Sequence, residues 1–278
     1  MNEYFLTKTH HAFNSTPMPS IPIDILRLIL DHVNKPDLLN ICLLNKICCS
    51  CSQDVLYHDI KIDELRKGIQ VCQTLAQSTH LARRVRSFDI LRSGQFFYGP
   101  EASRSFQNMI FLRNLRMYYF TDAFSFLSGC TFKLVSFTCF EFAFEPLHQF
   151  LLNQSSLTDV GLGIFTDIHD PVEFGATFLP NVTRVTTNFP WLAQIIPDRP
   201  VSEVNCTGYA NVDPVDLIFF TCSAAPIKKI SINYTYLYPK SGQLLASIFP
   251  SLTHLNIGVA LLDRFLGNIV RGPDFFRI

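Results

Sequence analysis

The chain has 278 residues, 23 basic and 23 acidic side chains, 48% hydrophobic residues and a mean hydropathy of +0.20. Such a chain can bury a large core, which excludes disorder as its main state, and its balanced charge argues against nucleic acid or an anionic membrane as a partner. Only 17% of the residues are charged and 26 are Phe, so an unusual amount of apolar surface has to be buried.

The sequence carries no signal for a membrane or for export. No apolar run approaches the roughly 20 residues of a membrane helix, and the first residues lack the basic start and apolar core of a secretory signal. We therefore expect a cytoplasmic or nuclear protein that does not associate with a membrane. The nine cysteines, an odd number, are then expected to be reduced thiols.

The first predicted elements are two helices that follow a polar, flexible tail at residues 1–17. Residues 21–33 place apolar side chains at helical spacing, with Pro22 suited to the helix start and Asp24 to its first turn. A second helix is predicted to begin with Asp37 as its cap and to continue to Cys51. This short helix is apolar on most sides, which indicates a partner outside its own domain.

The order of these residues resembles an F-box. The matching positions are Ile21, Pro22, Asp24, Ile25, Leu26, Ile29, Leu30 and Val33, then Asp37-Leu38-Leu39, Leu43-Leu44-Asn45-Lys46 and Leu56-Tyr57-His58-Asp59-Ile60. Over residues 18–62 the resemblance implies a three-helix module that docks on the Skp-type adaptor of a cullin–RING ubiquitin ligase. The residues that it assigns to adaptor binding are Ile21, Pro22, Ile25, Leu26, Ile29, Leu38, Leu43, Leu44 and Lys46.

Three positions depart from the F-box pattern. Ile21 replaces the usual Leu, Asp24 replaces the usual Glu, and Cys48 stands where a bulky aromatic residue normally follows the basic residue. The missing aromatic ring removes packing area, so the departure bears on adaptor affinity. The alternative is that these helices belong to the core of one larger α-helical fold, which explains the apolar spacing but not the ordered motif.

Beyond a predicted linking helix at residues 63–80, a six-residue pattern recurs with apolar residues at positions one, four and six. The linking helix is expected to bury Leu65, Ile69, Cys72, Leu75 and Ala76. The eight windows of the pattern start at Val85, Leu112, Leu134, Leu157, Val182, Val201, Ile227 and Leu252. Their spacings run from 19 to 27 residues with a mean near 24, which is the range of leucine-rich repeats.

The residues between the apolar positions predict strands. Positions three and five of every window lie outside the hydrophobic set, so positions four and six are expected to point inward, with Thr187 as the exception. An acid followed by Pro, at Glu145-Pro146, Asp170-Pro171 and Asp213-Pro214, predicts helix starts between strands. No window carries the Asn of regular repeats at its ninth position. Residues 81–278 therefore resemble the irregular leucine-rich-repeat-like arrays that follow F-boxes in many fungal proteins.

The predicted fold class is α/β, with a small three-helix F-box module followed by an irregular leucine-rich-repeat-like solenoid of parallel concave sheet and convex helices. Strand–helix alternation also permits a doubly wound α/β domain. Buried strands of that fold are nearly continuous apolar runs, unlike these windows. No polar cap follows the apolar residues 261–270, so we expect that end of the array to be covered by a partner or by further sequence.

The outward strand positions are expected to form one surface that binds a target protein. Its candidate residues are Arg116, Tyr118, Arg184, Asn188, Lys229, Asn233 and His254. The resemblance implies a substrate-recognition subunit of an SCF-type ubiquitin ligase, with no catalytic residue, cofactor or metal of its own. One alternative is a leucine-rich-repeat scaffold that acts outside any ubiquitin ligase. Another is an enzyme built on Cys48 and Cys51, although a zinc site usually needs a second matched pair.

Overall fold

The fold was examined in a computed structural model of the chain, which describes residues 21–91, 99–118, 124–140, 144–163, 174–175, 177–210, 214–234 and 247–259. The chain divides into two compact units, with the boundary between Leu56 and Tyr57. We call them the helical unit and the sheet unit. Among the described residues, no helix combines the length and the apolar character needed to cross a membrane.

From residue 21 onward, where the structure describes it, the helical unit contains three helices, α1 (Ile23–Leu30), α2 (Lys35–Ile41) and α3 (Lys46–His58). Helix α3 runs to the unit boundary and just beyond. Its core is small and consists of Leu30, Leu38 and Cys51, with a few partly buried neighbours. Arg27 of α1 forms an ion pair with Asp54 of α3, with 3.2 Å between Nη2 and Oδ2. Packing and one surface ion pair therefore hold the three helices together.

The single helix predicted from Asp37 to Cys51 is wrong, because the structure has two helices there. Asn34 is the N-cap of α2, and its Oδ1 accepts a hydrogen bond from the Asp37 N–H at 3.0 Å. After the turn at residues 42–45, Asn45 Oδ1 accepts a hydrogen bond from the Cys48 N–H at 2.8 Å. Each Asn satisfies a free amide at a helix start, which sets boundaries that apolar spacing alone does not reveal.

Within its described segments, the sheet unit has nine parallel strands that lie side by side in chain order. The order never reverses, so the sheet lacks the switch point of a doubly wound domain, and the topology is compatible with a solenoid-like α/β fold. The strands are β1 (Asp59–Ile62), β2 (Ser87–Ile90), β3 (Asn114–Tyr118), β4 (Ser136–Phe140), β5 (Asp159–Gly163), β6 (Arg184–Thr187), β7 (Glu203–Ala210), β8 (Lys229–Tyr234) and β9 (His254–Val259).

The eight predicted strands are confirmed as β2 to β9, and each begins at the third position of its window. The third positions of successive windows pair with one another across the sheet, so each strand begins in the same register as the one before it. The pairing of β7 with β8 shifts after Cys206. One strand was not predicted. Residues 59–62, which the sequence analysis assigned to the end of the N-terminal module, form β1 and pair with β2.

A repeated backbone hydrogen bond joins each repeat to the next. The carbonyl of Arg113, at position two of its window, accepts hydrogen bonds from the N–H groups of Val135 and Ser136 at 2.8 and 3.1 Å. The carbonyl of Thr158 does the same for Thr183 and Arg184, at 2.9 and 3.0 Å. Because such a bond needs no particular side chain, the register can be regular although the repeat sequences are not.

Helices and turns connect the strands. They are α4 (Leu65–Gln77), α5 (Thr79–Ala82), α6 (Pro100–Asn108), α7 (Phe144–Leu152), α8 (Phe189–Ile195) and the 3₁₀ helices Phe124–Leu127 and Pro214–Cys222. Glu145-Pro146 lies in the first turn of α7 and Pro214 begins a 3₁₀ helix, whereas Asp170-Pro171 lies outside the described residues. On α4, Cys72, Leu75 and Ala76 are buried as predicted, but Leu65 and Ile69 are 43% and 41% exposed, so that part of the predicted face is wrong.

The core of the sheet unit lies on the side of positions four and six. It runs without a break from Ile60 of β1 to Phe249, and aromatic contacts such as Phe88–Phe106, with 5.3 Å between ring centroids, extend it toward the connecting helices. Thr187 is buried at its inward position, and its Oγ1 has no hydrogen-bond partner. The tail at residues 1–17 and the apolar residues 261–270 lie outside the described part of the chain.

Candidate functional site

Helix α1 presents two apolar stripes. Leu26 and Leu30 lie four residues apart and face the core of the helical unit, where Leu30 is buried and Leu26 is partly buried. Ile25 and Ile29 have the same spacing one residue earlier and are 48% and 49% exposed. The apolar face predicted for this helix is therefore divided, and only one of its two parts is used inside the unit.

Two further apolar side chains, Leu43 and Leu44, lie in the turn between α2 and α3 and are 84% and 70% exposed. Pro22 and Lys46 are also exposed. Nine large apolar side chains of the helical unit are at least 48% exposed, and we call this set the apolar surface: Ile21, Ile23, Ile25, Leu28, Ile29, Leu39, Leu43, Leu44 and Ile47. The core of the helical unit, with three buried apolar residues, leaves these side chains uncovered.

Among the residues that the F-box resemblance assigns to adaptor binding, Leu38 and Leu26 differ from the others. Leu38 is 1% exposed and fills the core of the helical unit, so it supports the fold rather than the open surface. Leu26 is partly buried against the same core. Four members of the apolar surface, each at least 50% exposed, were not assigned to adaptor binding from the sequence: Ile23, Leu28, Leu39 and Ile47. The sequence signal that could have identified Ile47 is its place directly after Lys46.

The polar side of the sheet carries positions three and five of the windows, and we call it the outer face. Four charged side chains in one row cross it on neighbouring strands: Asp159, Arg184, Glu203 and Lys229. Arg184 lies 3.3 Å from Asp159 (Nη1–Oδ2) and 2.9 Å from Glu203 (Nε–Oε2). Lys229 Nζ lies 2.9 Å from the other oxygen of Glu203. We call these residues the charge row.

Titration behaviour follows from these contacts. The hydrogen bond to Glu203 is the main cause of the raised pKa of Arg184, and Asp159 adds to it. The hydrogen bond from Lys229 is the main cause of the lowered pKa of Glu203, and Arg184 adds to it. Both pKa shifts favour the charged forms of Arg184 and Glu203, and each of these two side chains contacts an opposite charge on both neighbouring strands.

A second set of charges lies on β1, β2 and β3. Asp89 sits between Lys61 and Arg116 in the sheet register, with 3.6 Å between Arg116 Nη1 and Asp89 Oδ2. Asp89 is only 8% exposed and its Oδ1 has no hydrogen-bond partner. Burial raises the pKa of Asp89, while Arg116 and Lys61 oppose that shift. The outward position of Asp89 predicted an exposed side chain, and that prediction is wrong.

Two aromatic side chains stand on the outer face beyond the charged rows. The rings of Tyr118 on β3 and Phe140 on β4 are stacked, with 4.8 Å between centroids and 15° between planes. Phe140 leans over β5, where a Cβ added at Gly163 would overlap its Cδ1 atom. Both rings are partly exposed. We call Tyr118 and Phe140 the aromatic step.

The predicted target-binding residues do not form one group. Arg116, Arg184, Lys229 and His254 are exposed strand residues of the outer face, as predicted, and Tyr118 belongs to the aromatic step. Asn188 is not a strand residue: it is the N-cap of α8, and its Oδ1 accepts a hydrogen bond from the Trp191 N–H at 3.4 Å. Asn233 lies in β8 opposite Gly258 of β9, and its side chain is outside the description.

The two cysteines of the CxxC pair have different surroundings. Cys48 is partly exposed, whereas Cys51 is 3% exposed and belongs to the core of the helical unit. All nine cysteines are in the described residues and all are free thiols. Within the part of the chain that the structure covers, no group of three or more His, Cys, Asp or Glu side chains is arranged to hold a metal ion.

Comparison with known proteins adds no identification. No protein-family model matches the chain, and no curated protein matches it significantly in sequence. Two surfaces therefore bear on the function. They are the apolar surface of the helical unit and the outer face of the sheet unit.

Proposed function

We propose that the protein is the substrate-recognition subunit of an SCF-type cullin–RING ubiquitin ligase. In this proposal the helical unit is an F-box that docks on the Skp-type adaptor. The sheet unit is an irregular leucine-rich-repeat-like array whose outer face binds a target protein. Catalysis belongs to other subunits, and this chain brings the target close to them.

The observation that carries the proposal is the coincidence of the F-box-like motif with the apolar surface. Five motif residues that the resemblance assigns to adaptor binding, Ile21, Ile25, Ile29, Leu43 and Leu44, are each at least 48% exposed and belong to the apolar surface. Several large apolar side chains left exposed on one small unit are typical of a protein-binding surface, because burying them in a complex releases roughly 25 cal/mol per Å² of apolar area.

The regularity of the sheet unit supports the second half of the proposal. In the described part of the chain, nine parallel strands lie in chain order, successive windows pair at their third positions, and the carbonyl of position two bonds the next repeat. Repeat arrays of this kind offer one long surface of outward strand residues, which suits the binding of another protein.

Adaptor binding is the direct test. The full chain is co-expressed with a Skp-type adaptor, and its affinity is measured by titration calorimetry. We expect Leu43→Asp combined with Leu44→Asp to weaken binding at least tenfold, because two fully hydrated carboxylates would have to be buried. Both residues are highly exposed, so the variant should retain its fold by circular dichroism. The matched control is Leu152→Asp, at a residue 44% exposed in the sheet unit.

The outcomes separate the two functions considered. Tight binding that the double variant loses and the control keeps supports the ligase subunit. A folded wild-type chain that fails to bind the adaptor contradicts it and favours a leucine-rich-repeat scaffold without a ubiquitin ligase. Cys48→Phe restores the aromatic ring that the F-box pattern carries, and we expect it to tighten adaptor binding.

A further inference from the structure

The outer face is electrically balanced. Among the strand residues described at positions three and five of that face, four are acidic and four are basic: Asp59, Asp89, Asp159 and Glu203, and Lys61, Arg116, Arg184 and Lys229. The basic residues at the centre of the sheet are not free cations. Arg184 contacts two carboxylates and Lys229 contacts one, at 2.9 to 3.3 Å.

This arrangement is unfavourable for a phosphorylated or acidic partner. A phosphate that approached Arg184 would have to displace Asp159 or Glu203, and it would remain within a few ångströms of both carboxylates. Like charges so close repel one another, and the existing hydrogen bonds would be lost. Arg116 has the longest of these contacts, 3.6 Å, but it lies directly beside Asp89.

The aromatic step offers a different kind of contact on the same face. Tyr118 and Phe140 are partly exposed rings held in place by stacking, and Phe140 is also held by its contact with the backbone of β5 at Gly163. Rings that are already ordered lose little conformational entropy on binding, and Tyr is enriched among residues that dominate binding energy. An apolar side chain packed on this step would displace water without separating any ion pair.

We infer that the outer face binds an uncharged, apolar segment of its target protein on the aromatic step, independently of phosphorylation, while the charge row neutralises its own charges and disfavours acidic segments. The inference rests on the proposed function for the existence of a target, and it adds the chemical class of that target. The occupant is an extended peptide with an aromatic or large aliphatic anchor.

The test uses short random peptides displayed on phage and selected on the intact full-length chain. Enriched peptides are synthesised with a fluorescent label, and their dissociation constants are measured by anisotropy. We expect apolar peptides of low net charge, whose affinity changes less than about twofold when NaCl is raised to about 0.5 M. Tyr118→Ala should weaken peptide binding about tenfold or more. Two control variants should leave peptide affinity unchanged: Tyr118→Phe, which keeps the stacked ring, and Asn205→Ala, at an exposed residue of the outer face.

The opposite results would overturn the inference. Enrichment of acidic peptides, a lack of any enriched peptide, or equal binding by Tyr118→Ala would each reject the aromatic step as the binding place. Adaptor affinity is measured on the same variants and should not change with Tyr118→Ala. A chain that binds these peptides but not the adaptor would reject the ligase function alone, and a chain that binds only the adaptor would reject this inference alone.

The role of the charge row has its own test. Asp159→Asn combined with Glu203→Gln frees Arg184 and Lys229 from their carboxylates. We expect this variant to gain salt-sensitive binding to a phosphoserine peptide of otherwise Gly and Ser residues, relative to the same peptide without phosphate. The wild-type chain should not distinguish the two peptides. A wild-type preference for the phosphopeptide would contradict the inference.

Discussion

Arg199 donates a hydrogen bond from its Nε atom to the carbonyl oxygen of Phe178 at 2.6 Å, between two successive repeats of the sheet unit. The same guanidinium donates to the carbonyls of Gly175 and Pro197 at 2.9 and 2.7 Å. Arg199 is only 2% exposed, and burial lowers its pKa. One buried cation therefore donates hydrogen bonds to carbonyl groups in two chain segments, the one that precedes β6 and the one that precedes β7.

Replacing Arg199 should destabilise the protein strongly. Arg199→Met keeps an apolar side chain of similar length but removes the charged hydrogen bonds that the carbonyl groups receive in the wild type. We expect this loss to lower the free energy of unfolding by about 3 kcal/mol or more. Urea unfolding followed by fluorescence measures the change. Arg113→Met, at an exposed arginine, is the control and should change the free energy of unfolding by less than about 0.5 kcal/mol. Similar losses in both variants would contradict the assignment.

The close contact between Phe140 and Gly163 should make Gly163→Ala destabilising. The added Cβ would overlap Phe140 Cδ1, and relieving that overlap should cost about 1–3 kcal/mol of unfolding free energy. Gly175→Ala is the matched control, because a Cβ there meets nothing within 4 Å. The double variant with Phe140→Leu should recover part of the loss. If Gly163→Ala were as stable as the wild type, the two residues could not be packed as described.

The charge row should contribute little to stability. Glu203 has 28% of its side chain exposed and Arg184 has 54%, so solvent screens the pair. We expect Glu203→Gln to lower the free energy of unfolding by less than about 1 kcal/mol at neutral pH. Because the pKa of Glu203 is lowered in the folded state, its contribution is present above the ordinary pKa of Glu and lost as the pH falls through the folded value.

Thermal denaturation of wild-type and Glu203→Gln chains at pH 7 and at pH 3 checks this sign. The difference between the two proteins at pH 7 should become smaller at pH 3, and high salt should reduce the difference at pH 7. A difference that grew on acidification would show that the carboxylate destabilises the fold.

Buried thiols should make the fold sensitive to alkali. Burial raises the pKa of Cys72 to about 11, so its thiol stays protonated in the folded state at pH values where an unfolded chain ionises it, above pH 9.0. The contribution of Cys72 to the free energy of unfolding is fully present below pH 9.0 and is lost as the pH rises toward 11. In that range the free energy of unfolding should fall by up to about 1.4 kcal/mol per pH unit.

Urea unfolding at several pH values above 9.0 measures this slope. We expect the slope to be shallower in Cys72→Ala and unchanged in Cys222→Ala, where the replaced thiol is exposed. Peptide mapping after brief alkylation gives a second measurement, in which Cys222 should react before Cys72. Equal reaction rates for the two thiols would contradict the burial of Cys72.

Sequence alone predicted the eight strands β2 to β9, their common period and the division between a polar and an apolar side. These properties depend on local alternation of side chains, which is visible in any single window. The same local logic failed at helix boundaries, because Asn34 and Asn45 act as caps through single hydrogen bonds to amides three residues ahead. It also missed β1, which has only two inward residues, Ile60 and Ile62, to mark it.

Only the tertiary structure decided which of the candidate site residues are available to a partner. The sequence predicts Arg184 and Lys229 as exposed cations that could bind a partner. In the structure, the register of the parallel strands places Glu203 between them. The sequence does not distinguish Leu38 from the other apolar residues assigned to adaptor binding, but in the structure Leu38 fills the core of the helical unit. Pairing and burial depend on residues far apart in the chain meeting across strands or helices, and no window of sequence contains both partners.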